Sequence, residues 1–473
     1  MRLSRVINNS TALFALDLLS KAVPLVVFPF LVRVLGPQTY GKLGFATAVA
    51  GFFGLLASPG FSAYAQREVA KVPAEVGSVV RDVTGARISF AAGSYILLLM
   101  YTIALAPHDP TMRVLIVLCG SVFLVNSLDA QWVFAARSRM WMVATRGVLA
   151  QVIYGGIILG FIRHQGDAWI VPLANVSSAA VAVGMIWFAA RREYGIPWPR
   201  VSPRSWSKFL MVCLTMGLAS MMSMIYDQID TVMLSYLRSA KEVGLYVASY
   251  RLMTVALSFV PILGQVFYPL LCETVEGSAE QQKRYLRWFG QASMGLALPI
   301  ATGGFVLAGR LTKFVLGPQY AGGEVLFRWL MLTILTGSLA SYWGSQLIPS
   351  GRERRYLIAV IAGALVNVIL NVLLIPRYGA VAAALTTALA QGTVAALNYY
   401  FVRDLPRPAL RGPIAIAAIA TVFMGGLIFW LQRFASIHVL LMVLIGTAAY
   451  SFLYFLLWRM RNQIVTRPRT TES

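Results

Sequence analysis

The sequence predicts an all-α polytopic membrane protein of about fourteen transmembrane helices, built as two six-helix repeats around a central cavity plus two extra C-terminal helices. Three observations predict this class. The chain is 58% apolar and only 12% charged, whereas a soluble domain is about half apolar and a quarter charged. Apolar runs recur from end to end, and fourteen helices of about 20 residues fit within 473 residues. Loops rich in Lys and Arg also alternate along the chain with loops that contain few of them, as in multi-pass membrane proteins.

The apolar runs locate the spans. Backbone groups inside hydrocarbon must be hydrogen-bonded within their own segment, so runs of this length are expected to be helices rather than strands. The predicted spans are 9–35, 42–65, 84–106, 112–134, 141–162, 168–189, 207–236, 242–271, 289–308, 325–348, 356–375, 380–402, 412–431 and 437–459.

The distribution of Lys and Arg predicts that both termini are cytoplasmic. With the N-terminus inside, the inner segments carry nearly three times as many Lys and Arg residues as the outer ones, which is the bias of cytoplasmic loops. Two longer inner connections, 66–83 and 272–288, mix charged with apolar residues. They are predicted to be amphipathic helices on the inner surface.

These two connections each follow the second span of a six-span set, which indicates two repeats. A short similarity supports this: Tyr40-Gly41 enters span 2, and Val243-Gly244 enters span 8. Repeats about a central cavity are typical of transporters. The predicted units are an N-terminal lobe (1–200), a C-terminal lobe (201–408) and a segment (409–473) with spans 13 and 14 and a cytoplasmic tail.

The charge and the cysteines exclude other classes. A net charge of +22, from 40 Lys and Arg against 18 Asp and Glu, would indicate nucleic acid in a soluble chain. Here the cytoplasmic loops account for most of it, and no nucleic-acid partner is expected. The three cysteines lie in apolar stretches without a CxxC motif, so neither a disulfide framework nor a cysteine metal site is predicted.

Charged residues inside the predicted spans are candidate functional groups, because such residues usually face a bundle interior or a water-filled cavity. Asp17 and Lys21 stand four residues apart on span 1, and therefore on one helix face. Asp227 on span 7 and Arg251 on span 8 are each about 13 Å from the outer end, and Asp230 is about 9 Å deep. For each Asp–cation pair, a structural salt bridge is the alternative to a transport role.

A set of neutral oxygens lies at similar depth. Asn367 and Asn371 are on span 11 and Thr387 is on span 12. Together with Asp230 they would form an all-oxygen site of the kind that suits a hard cation, here Na⁺. A proton on Asp227 or Asp230 is an equal candidate for a coupling ion, and polar contact between helices is the third interpretation. No other cofactor is expected.

Several segments are similar to the Wzx-type polysaccharide flippases, a branch of the MOP (MATE-like) superfamily. The main ones are Ile348-Pro349-Ser350-Gly351-Arg352 and the run from Asn367 to Ala380, with the pattern N-x-x-x-N-x-x-x-I-P-x-Y-G-A. The others are Leu35-Gly36-Pro37 with Tyr40-Gly41, Asp227-Gln228-Ile229-Asp230, Glu242-Val243-Gly244-Leu245-Tyr246 and Leu316-Gly317-Pro318-Gln319-Tyr320.

The resemblance implies a flippase of the bacterial inner membrane. It would move undecaprenyl-pyrophosphate-linked oligosaccharide repeat units of O-antigen or exopolysaccharide from the cytoplasmic to the periplasmic leaflet, by ion-coupled alternating access. No covalent chemistry is involved, so an enzyme is not expected. Membrane lipids, a polysaccharide polymerase and a chain-length regulator are the implied partners.

A pyrophosphate that crosses a low-dielectric core needs compensating cations. Lys21 and Arg251 resemble the basic cavity residues on the first and eighth helices of the related lipid II flippases. Arg33 and Arg328 are further candidates, although both lie close to the outer surface and could snorkel. In the lipid II flippases a carboxylate stands where this chain has Asn371, a difference that leaves both Na⁺ and H⁺ open.

Three residues near the inner surface complete the candidate set. Arg139 and Arg146 could meet the pyrophosphate as it enters, or could simply set the topology. Asp129, near the inner end of span 4, is either a gate or an interfacial charge.

Two rival functions fit parts of the sequence. A multidrug or organic-cation antiporter of the MATE type shares the repeat, but usually has twelve spans and prefers cations. The basic cavity candidates and the two extra spans argue against it. A membrane polymerase or glycosyltransferase generally needs a large outer loop or a soluble catalytic domain, for which the spans leave no room.

Overall fold

The structure is a computed structural model that describes residues 2–71, 76–106, 109–201, 206, 210–274, 278–405, 411–434 and 437–466. Within these ranges, the side chains of residues 2–19, 21, 212, 214–223, 225–227, 259–261, 265, 411, 413 and 462–466 are outside the description. All regular secondary structure in the described ranges is helical. Contacts divide the chain into two compact units, Met1–Val247 (unit 1) and Ala248–Ser473 (unit 2). The predicted lobe boundaries at 200/201 and 408/409 stay a prediction.

Unit 1 contains eight helices and the start of a ninth in the described ranges. They are α1 (Arg2–Ala57), α2 (Phe61–Lys71), α3 (Val76–Ala104), α4 (Pro110–Ser127), α5 (Gln131–Ala136), α6 (Met140–Phe161), α7 (Ile170–Tyr194), α8 (Leu210–Leu237) and α9 (Ala240–Leu257).

Unit 2 contains the end of α9 and the helices that follow. They are α10 (Phe259–Glu273), α11 (Ala279–Val306), α12 (Ala308–Val315), α13 (Gly323–Leu347), α14 (Glu353–Phe401), α15 (Arg411–Leu431) and α16 (Val439–Thr466).

The helices confirm an all-α, multi-pass membrane protein. Every predicted span overlaps a helix. Within the described residues, ten helical stretches are long and apolar enough to cross a membrane, or eleven if a bent pair counts as one span. Ala22–Lys71 and Glu353–Phe401 have 50 and 49 residues. At 1.5 Å per residue, each is about 75 Å long, enough for two crossings of a hydrocarbon core about 30 Å thick.

Glycine breaks the two longest helices where the sequence predicts that one span ends and the next begins. Gly36 in α1 has φ 69° and ψ 167°, and Gly379 in α14 has φ 58° and ψ −137°. Such positive φ values are readily adopted by glycine alone. Pro37 follows the first break and Pro376 precedes the second, and neither proline can continue a regular helical hydrogen-bond ladder. Two of the motifs that carry the family resemblance are therefore helix breaks.

The two segments predicted as surface helices differ in the structure: a separate short helix covers the start of the first segment, and no separate helix forms in the described part of the second. A position on the inner membrane surface stays a prediction. The short helix α2 buries Phe61, Ala65 and Val69 on one face, although residues 76–83 of the predicted segment already belong to α3. No separate surface helix forms within 278–288. The Ser278 side chain accepts a hydrogen bond from the Gln281 N–H at 3.2 Å and caps α11, which continues without a break to Val306.

The Pro349-Ser350-Gly351-Arg352 motif ties the start of α14 to its end. Both Nη atoms of Arg352 pair with the Asp404 carboxylate, at 2.7 and 2.8 Å, and Nη1 also donates to the Phe401 carbonyl at 3.0 Å. Asp404 lies just beyond the last residue of α14. The hydrogen bonds from Arg352 hold the pKa of this carboxyl at about 2, so the pair is ionised at neutral pH.

The two extra C-terminal helices are part of unit 2 and pack against α11. Leu307, Met424 and Met442 share one buried cluster. Arg310 donates to the carbonyls of Ile437 and Gln432 at 3.0 and 2.6 Å. The loop between α15 and α16 is thereby fixed to the bend between α11 and α12.

Two glycines allow α1 and α9 to cross at backbone distance. A Cβ atom on Gly244 would overlap the Pro37 carbonyl oxygen, and a Cβ on Gly41 would overlap the Ala240 carbonyl oxygen. These glycines belong to the two similar segments that enter spans 2 and 8. The similarity therefore marks two surfaces that touch each other within unit 1.

We expect Gly244→Ala to destabilise the protein, because the added methyl group has no space. Overpacking of this kind costs about 1–3 kcal/mol, which should lower the melting temperature in detergent. Gly184→Ala in α7 is the matched control, since no atom lies within 4 Å of its added Cβ. The control should be neutral or slightly stabilising, and equal melting temperatures for the two variants would contradict the crossing.

Candidate functional site

Arg251 is the predicted cation whose surroundings the structure describes most clearly. Its side chain is exposed on α9 and makes no hydrogen bond or ion pair with the side chains that the structure describes. It lies eleven residues after Ala240, the first residue of the helix, which is about 16 Å along the axis. A guanidinium at such a depth is costly in hydrocarbon and normally faces a water-filled cavity. Arg251 thus has the exposure that an anion site requires.

Arg33 and Arg328 are also exposed, and both stand close to helix ends or breaks. Arg33 precedes the Gly36 break by three residues, and Arg328 is in the second turn of α13. A long side chain in such a position can reach the membrane interface at low cost. Both residues therefore stay candidates for snorkelling as well as for substrate binding.

Three predicted residues lie outside the described side chains. Asp17 and Lys21 are on α1, and Asp227 is on α8, but only their backbones are described. For the Asp17–Lys21 and Asp227–Arg251 pairs, a structural salt bridge and a transport role therefore both stay predictions.

Asp129 and Arg146 meet in a buried ion pair at one end of α4. The distance from Arg146 Nη2 to Asp129 Oδ2 is 2.7 Å, and the Asp129 side chain is only 6% exposed. Asp129 Oδ1 also accepts the Gln131 N–H at 3.0 Å, which fixes the start of α5. Arg87 approaches the same turn from α3 and donates to the Asp129 carbonyl at 2.6 Å. Arg146 thus pairs with the carboxylate and Arg87 with the main chain of the same turn. With two guanidinium groups and one carboxylate, the cluster keeps a net positive charge.

Arg139 has a different partner from Arg146. It forms an ion pair with Glu193 near the end of α7, and its side chain is about half exposed. The structure therefore separates these two predicted cations into a neutralised surface pair and a buried, net positive cluster. Of the two, Arg146 retains the stronger case for contact with an anion.

Asp230 is a buried carboxylate on α8. It is 1% exposed and accepts a hydrogen bond from the Tyr246 hydroxyl at 2.8 Å. Tyr246, on α9, is itself 2% exposed. The pair joins the two consecutive helices α8 and α9.

Two of the three predicted neutral residues, Asn367 and Asn371, form a hydrogen-bonded chain with Thr386 inside α14. Asn371 Nδ2 donates to Asn367 Oδ1 at 3.1 Å, and Thr386 Oγ1 donates to Asn371 Oδ1 at 2.5 Å. Thr387, the predicted ligand, donates to the Ala383 carbonyl at 2.8 Å. All four side chains are buried. Both amide oxygens already accept hydrogen bonds, an arrangement that joins the two halves of α14 across the Gly379 break.

The predicted Na⁺ set combines residues of different units. Asn367, Asn371 and Thr387 lie in unit 2, whereas Asp230 lies in unit 1. Na⁺ binding by these four residues stays a prediction.

Sequence reasoning missed three partners that the structure supplies. Arg87 is absent from the predicted candidates, although its place within predicted span 3 indicates an intramembrane charge. Thr386 is adjacent to Thr387, which the sequence predicted as a ligand of the cation site. Tyr246 carried no signal, because its contact with Asp230 depends on how α8 and α9 pack.

Unit 1 also contains a cavity that the sequence did not predict. Its volume is about 220 Å³, and it opens between α1, α4 and α7. Its lining has no charged side chain and consists of Leu43, Thr47, Ala50, Gly51, Gly54, Cys119, Val122, Phe123, Val171, Pro172 and Asn175.

The fold is similar to those of solved transporters. A lipid II flippase, MurJ in an inward closed conformation, superposes with a TM-score of 0.76 at 13% identity, over 94% of this chain and 98% of that protein. A multidrug resistance MATE family transporter of the MOP superfamily, in an inward-facing conformation, superposes with a TM-score of 0.60 at 14% identity, over 81% of this chain and 94% of that one. These likenesses show a shared fold.

The sequence comparisons identify the family. A Shigella dysenteriae protein named "Putative O-antigen transporter" is 23% identical over 389 residues, which cover 79% of this chain and 94% of the relative. Residues 6–275, more than half of the chain, match the family described as "Polysaccharide biosynthesis protein". The chain therefore belongs to the polysaccharide biosynthesis protein family, as the motif resemblance predicted.

Proposed function

We propose that this protein is a flippase for lipid-linked polysaccharide intermediates. Its cargo is an undecaprenyl-pyrophosphate-linked oligosaccharide, moved from the cytoplasmic to the periplasmic leaflet of a bacterial inner membrane by alternating access. Both termini are cytoplasmic in this proposal. The relative named as an O-antigen transporter supports this cargo class. It also supports a transporter over an enzyme.

The exposed guanidinium of Arg251 carries the proposal. An anion that crosses the membrane must exchange water for fixed cations, and Arg251 is available for that exchange because no described side chain neutralises it. Lys21 is proposed as a second cation of the path, by its resemblance to the lipid II flippases. Arg146, in its net positive cluster with Arg87 and Asp129, is proposed as the first contact on the inner side.

We infer that transport is coupled to protons at Asp230. Asp230 is a buried carboxyl group within a predicted span, where it accepts a hydrogen bond from the Tyr246 hydroxyl. Carboxyl groups in such positions are typical members of proton relays in transporters. The oxygens of Asn367 and Asn371 already accept hydrogen bonds, which weakens the case for Na⁺. A polysaccharide polymerase and a chain-length regulator are the proposed protein partners, since the flipped repeat unit must be joined into a chain.

The second candidate function is export of organic cations. The likeness to a MATE multidrug transporter favours it, because the two folds are shared over most of the chain. Two features argue against this function. The two C-terminal helices, which pack against α11, are beyond the twelve spans that are usual for such exporters. The exposed Arg251 side chain would also repel a cationic drug.

Removal of the Arg251 charge should slow flipping. Loss of a charge-assisted contact costs about 1.5–3 kcal/mol, so Arg251→Ala should reduce the rate of lipid flipping in proteoliposomes by roughly 10- to 100-fold. Arg251→Lys should retain part of the rate. Arg192→Ala, at an exposed arginine near the end of α7, is the matched control. Wild-type rates for Arg251→Ala at equal protein levels would contradict the cation role.

Asp230→Asn should uncouple transport from the proton gradient, because an amide cannot carry the proton. In proteoliposomes with an imposed pH gradient, the wild-type rate should depend on the gradient, and the Asp230→Asn rate should not. Tyr246→Phe should weaken the dependence without abolishing it. A wild-type rate that follows an imposed Na⁺ gradient, and is indifferent to the pH gradient, would replace the proton by Na⁺.

A further inference from the structure

We propose that the cavity between α1, α4 and α7 is a subsite for one neutral sugar ring of the transported glycan. The inference rests on the proposed function and deepens it, because it separates the recognition of the glycan from the recognition of the pyrophosphate. The basic residues serve the pyrophosphate, and this cavity serves a sugar.

The cavity has the dimensions of a small ring. At about 220 Å³, it is below the range of about 300–1,000 Å³ that is typical of pockets for drug-sized ligands. Gly54 on α1 keeps part of one wall free of side chains, whereas the Met224 side chain of α8 packs against Gly51. All residues that line the cavity lie within unit 1, on α1, α4 and α7.

Two polar side chains lie at the cavity and have capacity for a ligand. Thr47 and Asn175 are exposed, whereas their helix neighbours Ala46, Ala48 and Ala174 are fully buried. The Thr47 hydroxyl donates to the Leu43 carbonyl at 2.8 Å and lies 3.8 Å from the Cys119 sulfur. Its oxygen has two lone pairs, so one acceptor position is left for a ligand. The Asn175 amide has no partner within the described part of the chain, and it offers two donors and an acceptor. Hydroxyl groups of a sugar need this mixture of donors and acceptors.

An apolar wall faces the cavity beside these polar groups. Phe123 lines it, and the Tyr95 ring holds Phe123 edge-on with ring centroids 6.0 Å apart. The face of an aromatic ring is the negative part of its quadrupole, which attracts the C–H groups on the face of a sugar ring. Val122, Val171 and Pro172 complete the apolar surface.

The uncharged lining of the cavity favours a neutral ligand over an anionic one. No side chain that lines the cavity is ionised at neutral pH, so a pyrophosphate would be left without compensation. A polyprenyl tail would leave the Asn175 amide without a hydrogen bond, and that is costly away from water. A neutral sugar satisfies both the polar and the apolar parts of the lining.

The sharpest test fills the cavity. In Gly54→Leu, the nearest atom to the new Cβ is Phe123 Cδ1 at 3.7 Å, an ordinary contact, so the side chain should occupy the cavity without disturbing the helices. Gly156→Leu on α6 is the matched control, because nothing lies within 4 Å of its Cβ. Thr47→Val removes a hydroxyl that donates a hydrogen bond to the carbonyl of Leu43, four residues earlier in the helix. Its control, Thr145→Val, removes an equivalent one outside the cavity.

The readout is binding of two radiolabelled lipids to the purified full-length protein. One is undecaprenyl pyrophosphate, and the other carries a single N-acetylglucosamine on the same pyrophosphate. The wild type and both controls should bind the sugar-bearing lipid more tightly, by about tenfold if one or two net hydrogen bonds form. Gly54→Leu should remove this difference and leave the binding of undecaprenyl pyrophosphate unchanged. Thr47→Val should reduce the difference.

Three results would overturn the subsite. The first is equal affinity of the wild type for the two lipids. The second is a Gly54→Leu variant that still binds the sugar-bearing lipid more tightly than undecaprenyl pyrophosphate. The third is a Gly54→Leu variant that loses affinity for both lipids equally, which would assign the cavity to the polyprenyl tail. Binding of neither lipid by the wild type would instead contradict the proposed function. Alkylation of Cys119 in a Cys213→Ser, Cys272→Ser background gives an independent check, since only the sugar-bearing lipid should slow it.

Discussion

The low dielectric of the bilayer core is the constraint on which the rest of this structure depends. A backbone amide, an asparagine or an arginine inside the membrane needs either a partner within the protein or a water-filled space. Most intramembrane polar groups described in this chain have such a partner. The Asp230 carboxylate accepts from the Tyr246 hydroxyl, Asn371 is held between Asn367 and Thr386, and Asp129 is paired with Arg146. Arg251 is exposed without such a partner among the described side chains, which is consistent with its proposed contact with the cargo.

The architecture could be predicted from the sequence because it follows from local patterns. Apolar length and the loop bias of Lys and Arg locate the spans, and each predicted span overlaps a helix. The breaks at Gly36 and Gly379 coincide with Gly and Pro motifs, since these residues act on their own backbone. The separate surface helix expected within 272–288 is wrong for a local reason as well. Ser278 is a good helix cap, and the charged turns that follow it continue directly into the apolar part of α11.

The candidate site was less predictable, because it depends on which faces of different helices meet. Asp129 and Arg146 were each recognised, but their pairing and the contribution of Arg87 arise from the packing of α3, α4 and α6. The contact of Asn371 with Thr386 depends on how the helix rotates after the Gly379 break. The cavity next to Asn175 left no signal, since a lone neutral residue in an apolar run resembles any other polar contact.

In the proposed mechanism, fixed cations bind the pyrophosphate end of the cargo, and a neutral, partly aromatic cavity binds a sugar at the other end. The measurement that tests its central claim most directly is flipping by the wild-type protein in proteoliposomes. A fluorescent undecaprenyl-pyrophosphate-linked oligosaccharide is placed in one leaflet, and its appearance in the other is followed with a membrane-impermeant quencher. The account predicts that the lipid crosses at a rate proportional to the amount of protein. A lipid that stays in its leaflet, while organic cations are transported by the same vesicles, would contradict it.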